Sequence, residues 1–208
     1  MTSDDLKDDA ELLRRCAAGD ETAYAELIAR FERPLIGYIC RLTGNSSAAE
    51  DIFQEVFLRV TCSVGRFSPR CRVSTWLYTI AHNLCVDFLR KASRAKCVSM
   101  TAAEGSAGRG EKGGAVREIA DLRFDAAHTV EKAEEARRLR ACLLELAEPK
   151  REALILRVFE GLPYEEMAAI TGARVGTLKF RVHEAVRELA MKLNRPENKS
   201  EGGKVVAC

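Results

Sequence analysis

Residues Tyr164–Leu193, YEEMAAITGARVGTLKFRVHEAVRELAMKL, constrain the chain more than any other stretch. The pattern predicts two helices joined by a sharp turn. Small Ala168 allows close helix contact, and Gly172 one turn later is the residue type that most readily ends a helix in a left-handed conformation. The second helix repeats Val175, Leu178, Val182, Val186, Leu189 and Leu193 at three- or four-residue steps, which predicts one buried stripe. Thr177, Lys179, Phe180, Arg181, His183, Glu184 and Arg187 fall off that stripe. A buried seam with a basic outer face suits a helix-turn-helix whose second helix enters a DNA groove. An ordinary amphipathic hairpin with a solvated charged face would carry the same periodicity.

The rest of the chain agrees with a helical protein. Of its 208 residues 47 % are hydrophobic and only 6 % aromatic, enough apolar content for one or two cores with few of the bulky residues that favour strands. A net charge of +2 is too small to identify a nucleic-acid binder, so its distribution matters more. Between Arg70 and Lys96 six basic residues (Arg70, Arg72, Arg90, Lys91, Arg94, Lys96) face one acid, Asp87, whereas Thr2–Asp9 holds four Asp and one Lys. Basic patches of that kind can neutralise phosphates. The acidic start lacks the basic and apolar segments of a signal peptide, and no run of about 18 apolar residues occurs. The expectation is a cytoplasmic protein with no membrane insertion. The eight cysteines, Cys16, Cys40, Cys62, Cys71, Cys85, Cys97, Cys142 and Cys208, are scattered without CxxC spacing, which excludes a secreted disulfide scaffold. Phosphate loops, nucleophile elbows and paired metal-binding carboxylates are missing from the sequence, so an enzyme is not expected.

Along the chain, a helix is expected from near Asp9 to Gly19, with the preceding residues frayed and Asp20 capping the next. That helix carries Tyr24, Leu27, Ile28 and Phe31, is kinked or restarted at Pro34, and ends at Gly44-Asn45. Ser47-Ala-Ala-Glu50 has capping-box spacing ahead of a helix burying Ile52, Phe53, Val56, Phe57 and Val60. A loop, Cys62–Val73, precedes a helix Thr75–Lys91 capped by Ser74, with Leu77, Ile80, Ala81, Leu84 and Phe88 as its apolar stripe. Trp76 reads as a packing residue. Glu104–Gly114, EGSAGRGEKGG, has the composition of a flexible linker. Helical pattern resumes near Thr129, ends at Pro149, and restarts with Leu154, Ile155, Val158 and Phe159.

Two stretches resemble a known family. Ala10–Arg94 resembles region 2 of bacterial sigma factors, through LLRRCAAGDETAYAELIARFERPLIGYICRLTGN, AAEDIFQEVFLRV and STWLYTIAHNLCVDFLR. Pro149–Leu193 resembles region 4, through LRVFEGLPYEEMAAITGARVGTLKFRVHEAVREL. Together they are similar to the small extracytoplasmic-function (ECF) group of the sigma-70 family. The resemblance implies an all-α fold of two small modules, a region 2 helical bundle in 1–95 and a region 4 helix-turn-helix in 132–194, joined by a flexible linker 96–131 and followed by a disordered tail 195–208. It implies core RNA polymerase (β′ clamp and β flap), promoter DNA and an anti-sigma factor as partners, with no cofactor and no metal.

The same resemblance distributes the contacts. Asp51, Gln54, Glu55 and Arg59 are expected to grip the polymerase. Phe67 and Asn83 are expected to form the −10 pocket, an aromatic wall for stacking and an amide for base edges, with Tyr78, Asp87, Arg90 and Lys91 as further −10 contacts. Arg157, Thr177, Lys179, Phe180, Arg181, His183 and Arg187 are expected at the −35 element, where Lys and Arg can neutralise phosphate or donate to guanine. Phe180 stands where the family often has a small Ser, and Glu184 where a basic residue is frequent. Two rivals remain open at this point. One is a helix-turn-helix repressor; the other is a thiol- or metal-responsive regulator in which His82 and Cys85 share a ligand with Cys62 or Cys71.

Overall fold

The computed structural model describes residues 3–67, 71–101 and 130–194. All regular structure there is helical: α1 (Ser3–Ala17), α2 (Glu21–Thr43), α3 (Ser46–Ser63) with a short 3-10 turn (Val64–Arg66), α4 (Val73–Thr101), α5 (Val130–Leu144), α6 (Glu148–Leu154) running into a π turn (Ile155–Phe159), α7 (Tyr164–Thr171) and α8 (Val175–Leu193). The central part of the expected linker, 102–129, and the expected tail, 195–208, lie outside the described residues.

Helix α1 starts earlier than the composition suggests, at Ser3. Its Leu12 and Leu13 enter the core, and Asp9, buried, pairs with Arg30 of α2 at 2.6 Å. Asp20 caps α2 as expected, its carboxylate accepting from the amides of Thr22 and Ala23 at 2.9 and 3.1 Å. These bonds, with the Thr22 hydroxyl foremost, hold the Asp20 carboxyl well below the usual carboxylate range.

Helix α2 does not restart at Pro34 but runs through it. Leu27, Phe31, Leu35, Tyr38 and Leu42 form one buried stripe on both sides of the proline, and packing along it outweighs the roughly 3 kcal/mol that an interior proline costs. Gly44, at φ 73°, ends α2 with its amide on Cys40 O. Asn45 rather than Ser47 then caps α3, its side chain accepting from Ala48 N at 3.0 Å. The tight turn leaves no room for the later start that the capping-box spacing suggested.

Helix α4 is longer than expected at both ends, starting at Val73 and reaching Thr101. No Gly or Pro interrupts the sequence until Gly105, and Ala92 and Ala95 favour continuation. Pro149 starts α6 instead of ending α5, because a proline in the first turn gives up only an amide that has no partner there. Helices α6 to α8 form a compact unit in which Leu154, Ile155, Leu156, Met167, Ile170, Leu178, Val182 and Ala185 are buried. Its core is continuous with that of α1–α4, so the two modules pack directly on one another. No helix among the described residues is long and apolar enough to cross a membrane.

Candidate nucleic-acid and polymerase interfaces

The turn between α7 and α8 has the expected geometry. Gly172 sits at φ 69° with its amide on Ala168 O at 3.0 Å, and α8 leaves at an angle that seats Leu178, Val182 and Ala185 on the unit's core. The seam is rotated from the predicted stripe: Ala185 is buried while Val186 is 49 % exposed. Small Ala185 fits where α8 lies close to its neighbours, and its size hid it from a pattern read on large apolar residues.

Thr177, Lys179, Phe180, His183 and Arg187 are exposed on α8, and Arg181 is half-buried beside Val182. Phe180, at 64 % exposure, is the most exposed large apolar side chain of the described residues. Glu184 lies between two of the expected contacts, 3.0 Å from Arg187 Nη2 and 3.9 Å from His183 Nδ1. The acid at this position thus holds the Arg187 guanidinium rather than simply opposing phosphate.

Arg157 reaches the same neighbourhood from the π turn. In this wider turn Glu160 N donates to Ile155 O at 3.1 Å, five residues back, and the register leaves Arg157 exposed while Ile155 and Leu156 are buried. Arg157 Nη1 donates to Leu162 O at 3.0 Å. Its guanidinium lies 5.0 Å from the centre of the Tyr164 ring, and Lys179 Nζ lies 5.7 Å from the same centre. Tyr164 therefore gathers two cations from separate elements by cation–π attraction. Sequence reasoning missed it, since a tyrosine opening a helix carries no signal of what it will face.

On the other module, Phe67 is half-buried with its ring 5.3 Å from that of Trp76, so the expected pocket wall rests on the expected packing residue. Asn83, Asp87, Arg90 and Lys91 are exposed on α4, with Asp87 and Arg90 paired at 3.0 Å. Tyr78 departs from the expectation. It is buried at 4 % exposure, edge-on to Tyr38 at 5.3 Å, and its hydroxyl donates to Glu160 Oε2 at 2.5 Å. Five residues along a helix turn the side chain by about 140°, so Tyr78 and Asn83 cannot line one pocket here. Tyr78 shares the inward face of α4 with Leu77, Ala81 and Cys85.

Asp51, Gln54, Glu55 and Arg59 share one outward face of α3, with Arg59 Nε donating to Glu55 at 2.9 Å. Leu58 stands among them at 61 % exposure, an apolar centre that periodicity did not single out. The suggested metal or thiol cluster is not assembled. His82 Nδ1 lies against Glu152 Oε1, Cys85 is buried with its thiol pushed up by burial, and no group of three or more potential ligands is placed to hold a metal among the described residues.

The chain is similar to known proteins. The Sigma-70 region 2 profile matches residues 27–95, and the Sigma-70, region 4 profile matches residues 136–189. The RNA polymerase sigma-H factor of Pseudomonas aeruginosa is 30 % identical over 194 residues, covering 90 % of this chain and 94 % of that one. The ECF RNA polymerase sigma factor EcfG of Rhodopseudomonas palustris is 34 % identical over 159 residues, covering 76 % and 78 %. Among solved structures, the sigma factor RpoE in complex with the anti-sigma factor NepR from Bartonella quintana matches the fold with a TM-score of 0.63 at 22 % identity, covering 83 % of this chain and 98 % of that one. A helical region 2 bundle followed by a region 4 helix-turn-helix defines a sigma factor. The chain belongs to the sigma-70 family, in its ECF group.

Proposed function

We propose that the chain acts in the cytoplasm by binding core RNA polymerase and directing promoter-specific initiation. Residues 1–95 serve the polymerase clamp and the −10 element, 132–194 serve the −35 element and the β flap, and the segment between them is the tether. The observation that carries the reading is the co-occurrence, in family order, of both matched regions with an α8 whose exposed face holds Thr177, Lys179, Phe180, His183 and Arg187. Asp51, Gln54, Glu55 and Arg59 grip the clamp around Leu58, whose exposed side chain supplies apolar contact. Phe67 and Asn83 capture unstacked −10 bases, and Asp87, Arg90 and Lys91 support them. Arg157, Lys179 and Arg181 contact −35 DNA. The Bartonella quintana sigma factor of similar fold is bound to an anti-sigma factor, and we extend a partner of that class to this chain.

In vitro transcription tests the reading. Core polymerase plus this chain should yield promoter-specific transcripts from a genomic fragment library, and neither component alone should do so. A chain that binds promoter duplexes tightly without polymerase, and adds no transcripts with it, is a helix-turn-helix repressor instead.

A further inference from the structure

A single exposed apolar side chain is ordinary on a protein surface; the surroundings of Phe180 set it apart. Along α8 it lies about 140–160° round the helix from the buried Leu178, Val182 and Ala185, so it points away from the unit's core. Packing of the helix-turn-helix therefore gives no reason for a phenyl ring at this position.

Cations flank it. Lys179 precedes it, with its Nζ 5.7 Å from the centre of the Tyr164 ring that also carries Arg157. Arg187, two turns on, is exposed and only about 20° round the helix from Phe180. The Glu184 carboxylate between them is largely covered and lies 3.0 Å from Arg187 Nη2, so its charge is already met within the helix. An apolar protein surface docking over Phe180 would have to strip water from these cations, which is costly, whereas the phosphates lining a DNA groove would pair with them.

Position along the helix narrows the contact. The major groove is about 12 Å wide and accepts roughly two turns of a helix, whose opening residues reach the base edges. Phe180 is the sixth residue of α8 and lies in its second turn. Met191, exposed on nearly the same line, is about 16 Å farther along and falls outside that width. A phenyl ring neither donates nor accepts. Set against N7, O6, O4 or an amino group it would leave that atom without a partner, and the thymine C5-methyl is the one apolar group on the major-groove edge.

We propose that Phe180 is a specificity-determining residue that packs on the C5-methyl of a thymine in the −35 element. The proposal rests on the sigma-factor reading above. Phe180 departs from the small Ser that the family resemblance suggests. A hydroxyl can bond to any base edge, so the ring replaces a permissive contact with a selective one.

The test uses holoenzyme assembled from core polymerase and the full chain, wild type and Phe180→Ser in parallel, on promoters with a randomised −35 region. The wild type should fix a T·A pair at one position, and Phe180→Ser should relax that position while keeping the others. Duplexes with deoxyuridine at that thymine lose the methyl and keep every hydrogen-bonding group. Wild-type affinity should then fall about fourfold, the worth of one buried methyl group, while Phe180→Ser should not distinguish the two duplexes. With C·G at the same position, 5-methylcytosine restores the methyl and should recover a similar factor for the wild type alone.

Wild-type holoenzyme that binds deoxyuridine and thymine duplexes equally at every −35 position overturns the contact, and that measurement needs no variant. So does a Phe180→Ser holoenzyme that keeps both the wild-type preference and the wild-type loss on deoxyuridine; the ring then serves a protein partner. Holoenzyme that selects no −35 element overturns the sigma-factor reading and the contact with it. A selected element that tolerates deoxyuridine throughout overturns the contact and leaves that reading standing.

Discussion

Gly44 and Gly172 hold the same left-handed conformation, at φ 73° and 69°, in different surroundings. A side chain added at Gly172 meets nothing within 4 Å, whereas one at Gly44 would come within 2.8 Å of Leu144 Cδ2. Gly172→Ala should therefore cost only the backbone strain, about 1–2 kcal/mol. Gly44→Ala should cost that plus the displacement of Leu144, about 1 kcal/mol more if the side chain leaves its rotamer. Thermal unfolding of the two variants side by side measures the difference, and equal losses would show that Leu144 moves freely. Both glycines are legible in the sequence because the requirement is local: each ends an apolar repeat. Tyr78 and Tyr164 are not legible in this way. One is buried by a partner about 80 residues distant and the other collects cations from two elements, and nothing in their neighbouring residues specifies either fate.

Helix α8 makes separable predictions for its two central cations. Lys179 is exposed near the Tyr164 ring, while Arg181 is half-buried beside the seam. Lys179→Ala should cost about 1–3 kcal/mol in −35 affinity and relax preference at one base pair. Arg181→Ala should weaken all sequences alike and reduce the salt slope by about 1. Affinities against −35 variants at several salt concentrations, with core binding measured in parallel and expected to stay unchanged, distinguish the two behaviours. At this scale the sequence is a good guide where one face of a helix meets one core. Ile52, Val56, Phe57 and Val60 of α3 are buried as the periodicity requires, and the Asp20 cap has its expected amides. It is a poorer guide to boundaries. Pro34 stays inside a helix because packing outweighs a local preference of a few kcal/mol, Pro149 starts one because the first turn tolerates a missing amide, and the π turn has no sequence signal.

Over the whole molecule, the packing of the two modules should depend on pH through the His82–Glu152 contact. Burial pulls the His82 pKa down, but the hydrogen bond and charge of Glu152, with a further contribution from Glu148, more than offset it and leave the value raised above 6.5. Tyr38, Cys85 and Arg151 also face this site. Burial and Glu152 hold the Tyr38 phenol well above its ordinary value, burial does the same for the Cys85 thiol, and Arg151, near Glu148 and Glu152, remains a cation. Because the folded value is the raised one, the stabilisation is complete below the unfolded value and is lost as pH rises through the folded value. Melting temperature and compactness should therefore both decline as pH is raised from 6.5, and His82→Gln should flatten the profile. A wild-type profile that rises over the same range would reverse the assignment.

The sequence by itself determined the helical class, the order of the two family regions, the turn at Gly172 and most of the side chains that point outward from α3 and α8. The class, the turn and the outward faces follow from spacing over a few residues and the family order from the resemblance of longer stretches, which the chain carries wherever its parts lie. Only the tertiary structure decided that Tyr78 faces inward, that Tyr164 joins Arg157 to Lys179, and that three carboxylates of one module sit on six donors of the other. Tyr38 and Glu152 are 114 residues apart in the chain, and a hydrogen bond at that separation depends on how two packed surfaces meet rather than on any local pattern.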